Sequence, residues 1–200
     1  STTVCYHFHE PLGVVGQIIP WNFPLLMAGW KLAPALAAGN CVVLKPAEQT
    51  PVSVLVMMEM IADLLPPGVV NILNGYGEEI GQALASSDRI AKIAFTGSTV
   101  VGTKILKNAA ANLIPSSLEL GGKNPVILND SLNISSALDQ ITAAGFAVCG
   151  QRCTAISRVI VHKDLEDQVI KGLAKRTNAI TPSDGTKEDA QMGPLSSENQ

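Results

Sequence analysis

The sequence predicts an α/β chain: a doubly wound, parallel, Rossmann-like sheet followed by the first part of a second α/β unit. Three observations lead there. Apolar runs of strand length alternate with longer runs of helical length, with Gly and Pro at the joints. Cys41 to Leu44 is continuously apolar, as expected of a strand covered on both faces. A polar segment follows each strand run, so a parallel sheet collects those segments at one edge.

The elements follow in order. Gly13 to Ile19 reads as a strand, and Leu25 to Ala38 as a helix stopped by Gly39-Asn40. Cys41 to Leu44 reads as a short buried strand. Pro51 opens a helix to about Leu65, ended by Pro66-Pro67-Gly68. Val69 to Leu73 is a strand, Glu78 to Ala85 a helix, and Ile90 to Phe95 a strand. Ser98 to about Ala111 is a helix and Ser116 to Leu120 a strand. Parallel crossovers are right-handed and need a covering helix, so this alternation places helices on both faces. After Gly121-Gly122 the pattern restarts. Val126 to Leu128 is a strand, Ile134 to Val148 a small-residue helix, Ser157 to His162 a strand, and Leu165 to Ala179 a helix. The boundary falls near Gly122, dividing residues 1–121 from 122–200. The second part holds too few elements to close a core, and strand edges near Val126 and Val159 are expected to stay unpaired. His7-Phe8-His9 alternates like an exposed edge strand.

Composition narrows the function. Hydrophobic residues make up 46 % and charged residues 16 %, a globular balance with a core built from Ala, Val, Leu and Ile. The net charge of −3 supplies no basic face for nucleic acid. No apolar run approaches the ~18 residues of a membrane span. The first residues lack the charged and apolar regions of a signal peptide, so a cytoplasmic setting is expected. The four cysteines could form two disulfides, which a large core does not require. Cys149 and Cys153 have a spacing that suits a metal pair, but no second Cys or His pair follows, and no metal is expected.

Cys153 lies in Gly150-Gln151-Arg152-Cys153-Thr154-Ala155, a polar turn after the small-residue helix. Glu119 ends a strand run in Leu118-Glu119-Leu120-Gly121-Gly122-Lys123. A thiol nucleophile and a carboxylate base make a covalent-catalysis pair. Each also has a plainer reading: Cys153 as a small core residue, Glu119 as a buried ion-pair partner. Asn22, between Trp21 and Phe23, is either a turn residue or an N–H donor for an oxyanion. Lys45 and Glu48 flank a proline as a salt bridge, or as hydroxyl ligands of a ribose whose carboxylate repels a 2′-phosphate. Gly97-Ser98 opens a helix, whose N-terminus favours a pyrophosphate; otherwise Gly97 is a turn residue with positive φ. Gly75-Tyr76-Gly77 is wrongly spaced to Gly81 for Gly-x-Gly-x-x-Gly, so motif spacing alone leaves both readings of this edge open.

These segments resemble the aldehyde dehydrogenase superfamily, in its order and approximate spacing. The matching stretches are Pro20-Trp21-Asn22-Phe23-Pro24, Lys45 to Pro51, Phe95-Thr96-Gly97-Ser98-Thr99 with Gly102, Leu118 to Lys123, and Gly150 to Ala155. The resemblance runs from about Glu10 to Gln200, touching acetaldehyde-type members early and semialdehyde-type members around Arg152 to Val161. It implies that Cys153 attacks an aldehyde, that Asn22 and the Cys153 backbone N–H hold the oxyanion, and that Glu119 activates water. It implies NAD in preference to NADP, with Lys45 and Glu48 on the adenosine ribose and Gly97 and Ser98 on the pyrophosphate. Pro20 and Trp21 would border the nicotinamide side, and Gly77, Gly102, Leu120 and Gly121 would complete the cofactor set. Residues 1–121 would then be a cofactor-binding domain and 122–200 the start of a catalytic domain. A homo-oligomer is expected in the full-length context. The chain is much shorter than family members, so an internal fragment is expected, weakly active or inactive alone. The alternative is a nucleotide-binding or structural fragment without turnover. Transfer to coenzyme A is disfavoured, because Glu119 provides a hydrolytic base.

Overall fold

The computed structural model describes residues 2–129 and 133–200. The chain divides into two compact units, Ser1–Leu120 and Gly121–Gln200. In the first, β1 (Val14–Ile18), β2 (Cys41–Lys45), β3 (Val70–Ile72), β4 (Lys92–Thr96) and β5 (Ser116–Glu119) form a five-stranded sheet. The order is β3-β2-β1-β4-β5 and every pairing is parallel. The predicted doubly wound sheet is therefore present. Helices α1 (Pro24–Ala37) and α2 (Val52–Met60) cover one face, where Met27, Ala28, Leu32 and Val54 pack on Ile19, Val42 and Leu44. Helices α3 (Gln82–Ser86) and α4 (Thr99–Ala110) cover the other, where Leu84, Ile105 and Ala109 pack on Ile18, Ile93 and Phe95.

Local chemistry sets the joints. Pro24 at the first turn of α1 supplies a preset φ and lacks an N–H that would be unpaired there. Gly39 closes that helix with φ +80, and the Asn40 N–H bonds the Ala35 carbonyl at 3.0 Å. Buried Asn40 also accepts from the Leu12 N–H at 2.6 Å and the Gly13 N–H at 3.2 Å, which ties the entering chain to β2. Upstream of that tie, the expected edge strand at His7-Phe8-His9 is not formed. Tyr6 stacks on Phe8 and His7 meets His9, but no strand among the described residues pairs with them. The helix after Pro51 stops at Met60 and continues only as a 3₁₀ turn, Ala62–Leu64, before Leu65 extends ahead of Pro66. The helix expected from Glu78 begins instead as a π-helical turn, Gly77–Gly81.

In the second unit, β6 (Asn124–Leu128) and β7 (Ile156–Val161) form a two-stranded parallel sheet. Val126 and Val159, expected to be unpaired, are register partners of each other. Helices α5 (Ile134–Phe146) and α6 (Glu166–Asn178) cover one face through Leu138, Ile141 and Val169. The opposite face leaves Ile127 70 % and Ile160 53 % exposed, so the pair is covered on one side only. Helix α5 stops two residues short of the expected Val148. Ala147 turns extended, and Val148 and Cys149 follow with φ of 55° and 57°.

Candidate active site

In the first unit, parallel pairing gathers the strand ends at one edge. Ile18 lies in register with both Lys45 and Phe95, and Thr96 with Glu119. The segments after β1, β2, β4 and β5 therefore emerge together, and strand order reverses between β1 and β4, where open sheets bind ligands. The Thr50 hydroxyl reaches the Trp21 carbonyl at 3.4 Å, joining the loops after β1 and β2. Pro20, Trp21 and Asn22 are half-buried there, and Phe23 is anchored on the α1 core.

Lys45 and Glu48 are paired, as the salt-bridge reading expected, but asymmetrically. The Lys45 side chain is 3 % exposed and Glu48 is 38 % exposed, with Nζ 3.2 Å from Oε2. Lys45 also donates to the Pro46 carbonyl at 3.0 Å. Partial burial pushes the Glu48 carboxyl up, but its own backbone N–H, the Lys45 ammonium and the Gln49 amide outweigh it and hold it below the usual range. Glu48 is thus a carboxylate at neutral pH, half open to solvent.

Ser98 caps α4, its hydroxyl accepting from the Val101 N–H at 3.2 Å. The positive φ that the turn reading of Gly97 requires is absent. A Cβ at Gly97 would come within 2.5 Å of the Phe95 ring, so a bare α-carbon is needed for close approach rather than for backbone freedom. Gly102 is similar: a Cβ there would meet Leu120 at 2.6 Å, which seats α4 against the end of β5. Gly77 opens the π-helical turn and is exposed, and Gly121 is exposed as the first residue of the second unit.

Glu119 ends β5, and its carbonyl accepts from the Gly97 N–H at 3.0 Å. Its side chain is exposed, not the buried ion-pair partner of the plainer reading. It does have a charged neighbour that sequence reading missed. Burial holds the Lys31 ammonium below its usual range, and the Glu119 carboxylate opposes that fall only in part. Gln17, 1 % exposed, donates to the Lys31 carbonyl at 2.7 Å and fixes that turn of α1. The signal was available: Lys31 is the single charge in an apolar helix.

Cys153 belongs to the second unit. Its thiol is exposed, against the small-core reading. The turn around it is closed by the Ala155 N–H on the Arg152 carbonyl at 3.1 Å. Arg152 Nη2 ties the turn to α5 through the Ala144 carbonyl at 2.6 Å. Asn124 Nδ2 donates to the carbonyls of Cys153 at 2.6 Å and Ala155 at 3.2 Å. The expectation that Cys41 is buried is overturned: it heads β2, outside the helix-covered stretch, and its side chain is exposed, like that of Cys5. Exposure therefore does not single out Cys153. Cys149 is half-buried, its thiol donating to the Gly193 carbonyl at 3.2 Å.

Residues 1–200 match the aldehyde dehydrogenase family. The chain belongs to the aldehyde dehydrogenase family. It is 53 % identical to an acetaldehyde dehydrogenase of Pseudomonas aeruginosa, over 100 % of this chain and 40 % of that protein. Among solved structures, betaine aldehyde dehydrogenase from Staphylococcus aureus in complex with NAD+ superposes with a TM-score of 0.92 at 40 % identity. That match covers 95 % of this chain and 38 % of the other. An NAD+ complex of an aldehyde dehydrogenase from Bacillus cereus gives 0.93 at 44 % identity, over 96 % and 39 %. This aldehyde dehydrogenase chain thus spans about 40 % of the length of the curated relatives it matches. No helix among its described residues is long and apolar enough to cross a membrane.

Proposed function

We propose that the intact protein oxidises an aldehyde to a carboxylic acid through a thioester on Cys153, with NAD+ as the electron acceptor. The observation that carries this is the presentation of Cys153: an exposed thiol on a turn pinned through its backbone, in a chain of this family. The Cys153 thiolate adds to the carbonyl carbon and forms a C–S bond. Asn22 Nδ2 and the Cys153 backbone N–H hold the resulting oxyanion. NAD+ takes the hydride from that carbon and becomes NADH. The thioester left on Sγ is attacked by water, Glu119 accepts one proton of that water and later releases it to solvent, and the C–S bond breaks to free the carboxylic acid and return the thiolate.

The edge of the first unit fits a dinucleotide. Lys45 and Glu48 would hold the adenosine ribose, and the capped N-terminus of α4 with bare Gly97 would take the pyrophosphate. Pro20 and Trp21 would border the nicotinamide; Gly77, Gly102, Leu120 and Gly121 would shape the remaining wall. The ionised Glu48 would disfavour a 2′-phosphate. Glu48→Arg is expected to shift the NAD+/NADP+ preference toward NADP+ by on the order of tenfold to a hundredfold. Equal affinity of the wild type for both cofactors at matched salt would remove that role.

The test of the function is mass-mapped iodoacetamide labelling of the intact protein. Labelling of Cys153 is expected to slow when an aldehyde and NAD+ are present together, while labelling of exposed Cys5 and Cys41 is unchanged. Protection of all three alike, or of none, would overturn the assignment.

A further inference from the structure

We infer that Asn124 is the positioning residue of the nucleophile's turn: its amide sets the conformation in which Cys153 is presented. This rests on the reading of Cys153 as the nucleophile. Two peptide planes flank Cys153, and both are held. The plane before it is held through the Arg152 carbonyl, bonded by the Ala155 N–H at 3.1 Å. The plane after it is held through the Cys153 carbonyl, which receives Asn124 Nδ2 at 2.6 Å. With both planes fixed, φ and ψ of Cys153 are fixed, and so are the directions of its Cα–Cβ bond and its own N–H. The same Nδ2 reaches the Ala155 carbonyl at 3.2 Å, so one amide bridges both sides of Thr154.

The residue type matters. Asparagine offers two N–H groups on one short, uncharged side chain. Aspartate has the same shape but offers only acceptors at neutral pH, against two carbonyl oxygens. Serine offers a single donor. The backbone is cut to the same purpose. A Cβ at Gly122 would lie 2.7 Å from the Cys153 carbonyl oxygen and 3.1 Å from Asn124 Nδ2, so this approach requires a bare α-carbon. Asn124 opens β6 in register with Ile156, and the register shifts between Asn124 and Pro125. That irregularity places the side chain at the mouth of the two-stranded sheet, where the turn enters β7.

The test uses the intact protein and compares wild type with Asn124→Asp and Asn124→Ser. Three quantities are read: the rate constant of the first NADH burst with an aldehyde, the rate of Cys153 alkylation by iodoacetamide against pH, and NAD+ affinity. Asn124→Asp is expected to slow the burst by roughly tenfold to a hundredfold, the scale of a small misplacement of a reacting group. It is expected to change the alkylation profile of Cys153 and to leave NAD+ affinity unchanged. Asn124→Ser, with one donor, falls between wild type and Asp, and it decides the matter if the Asp variant does not fold. Wild-type burst and alkylation rates in a folded Asp variant would overturn the inference. So would a loss that tracks thermal stability and NAD+ affinity, because that describes a structural role. An absent burst in wild type, or a burst surviving Cys153→Ala, would instead bring down the reading of Cys153 and this inference with it.

Discussion

Glu119→Gln in the intact protein is expected to leave a rapid burst of NADH and to slow the steady state by about 10²–10⁴-fold, the range of a lost general base. The substitution keeps size and shape but removes the group that accepts a proton at neutral pH. Attack of the Cys153 thiolate and hydride transfer both precede any need for that group, so the first NADH forms at its usual rate. Water attack on the thioester needs a base, so acyl-enzyme accumulates. Glu119 is suited to this task by its place: its side chain at the end of β5 is open to solvent, from which the water must come. Stopped-flow absorbance separates the two phases. Loss of the burst itself would move Glu119 to a step before hydride transfer, and an unchanged steady state would remove it from the mechanism.

The alternation of strand-length and helix-length runs was enough to place the strands, because the joints between them need Gly and Pro. β2 illustrates both the strength and the limit. Its position follows from Cys41 to Leu44 as an apolar run, yet the exposure of Cys41 depends on where the covering helices stop, and no run of letters records that. The turn reading of Gly97 fails because a glycine required by a ring two residues earlier looks the same in sequence as one required by a turn. The end of α5 was misplaced because Val148 and Cys149 carry no breaker signal; their left-handed φ is imposed by what they join. Cys153, Glu119 and Asn22 were singled out as candidates by residue type: a thiol in a polar turn, a carboxylate closing a strand run and an amide between two aromatic residues. Asn124 was not, because its role is a bond to the backbone of a residue 29 positions away. Contacts of that separation are created by the fold and leave no local periodicity.

Cys153→Ala is expected to abolish aldehyde-dependent NADH formation, by at least about 10⁴-fold, while NAD+ binding stays at the wild-type level. Without Sγ there is no thiohemiacetal to donate a hydride, and no other group of the turn is a nucleophile of comparable strength. The variant should fold. The bonds that hold Arg152, the Cys153 carbonyl and Ala155 end on backbone carbonyls, of Arg152, Cys153, Ala155 and Ala144, rather than on the thiol. An exposed thiol also contributes little to packing. The residues assigned to the adenosine ribose and the pyrophosphate, Lys45, Glu48, Gly97 and Ser98, all belong to the first unit, which has hydrophobic cores on both faces of its own sheet. Removing a methylene-bound sulfur from the second unit leaves those cores intact. Calorimetric titration with NAD+ and a coupled rate assay on the same preparation give the two numbers. Loss of both together would mean that the substitution disturbed the fold. Turnover within about tenfold of wild type, with binding intact, would transfer the chemistry to another thiol. Cys149, four positions earlier with its sulfur against the Gly193 carbonyl, would be the next to test.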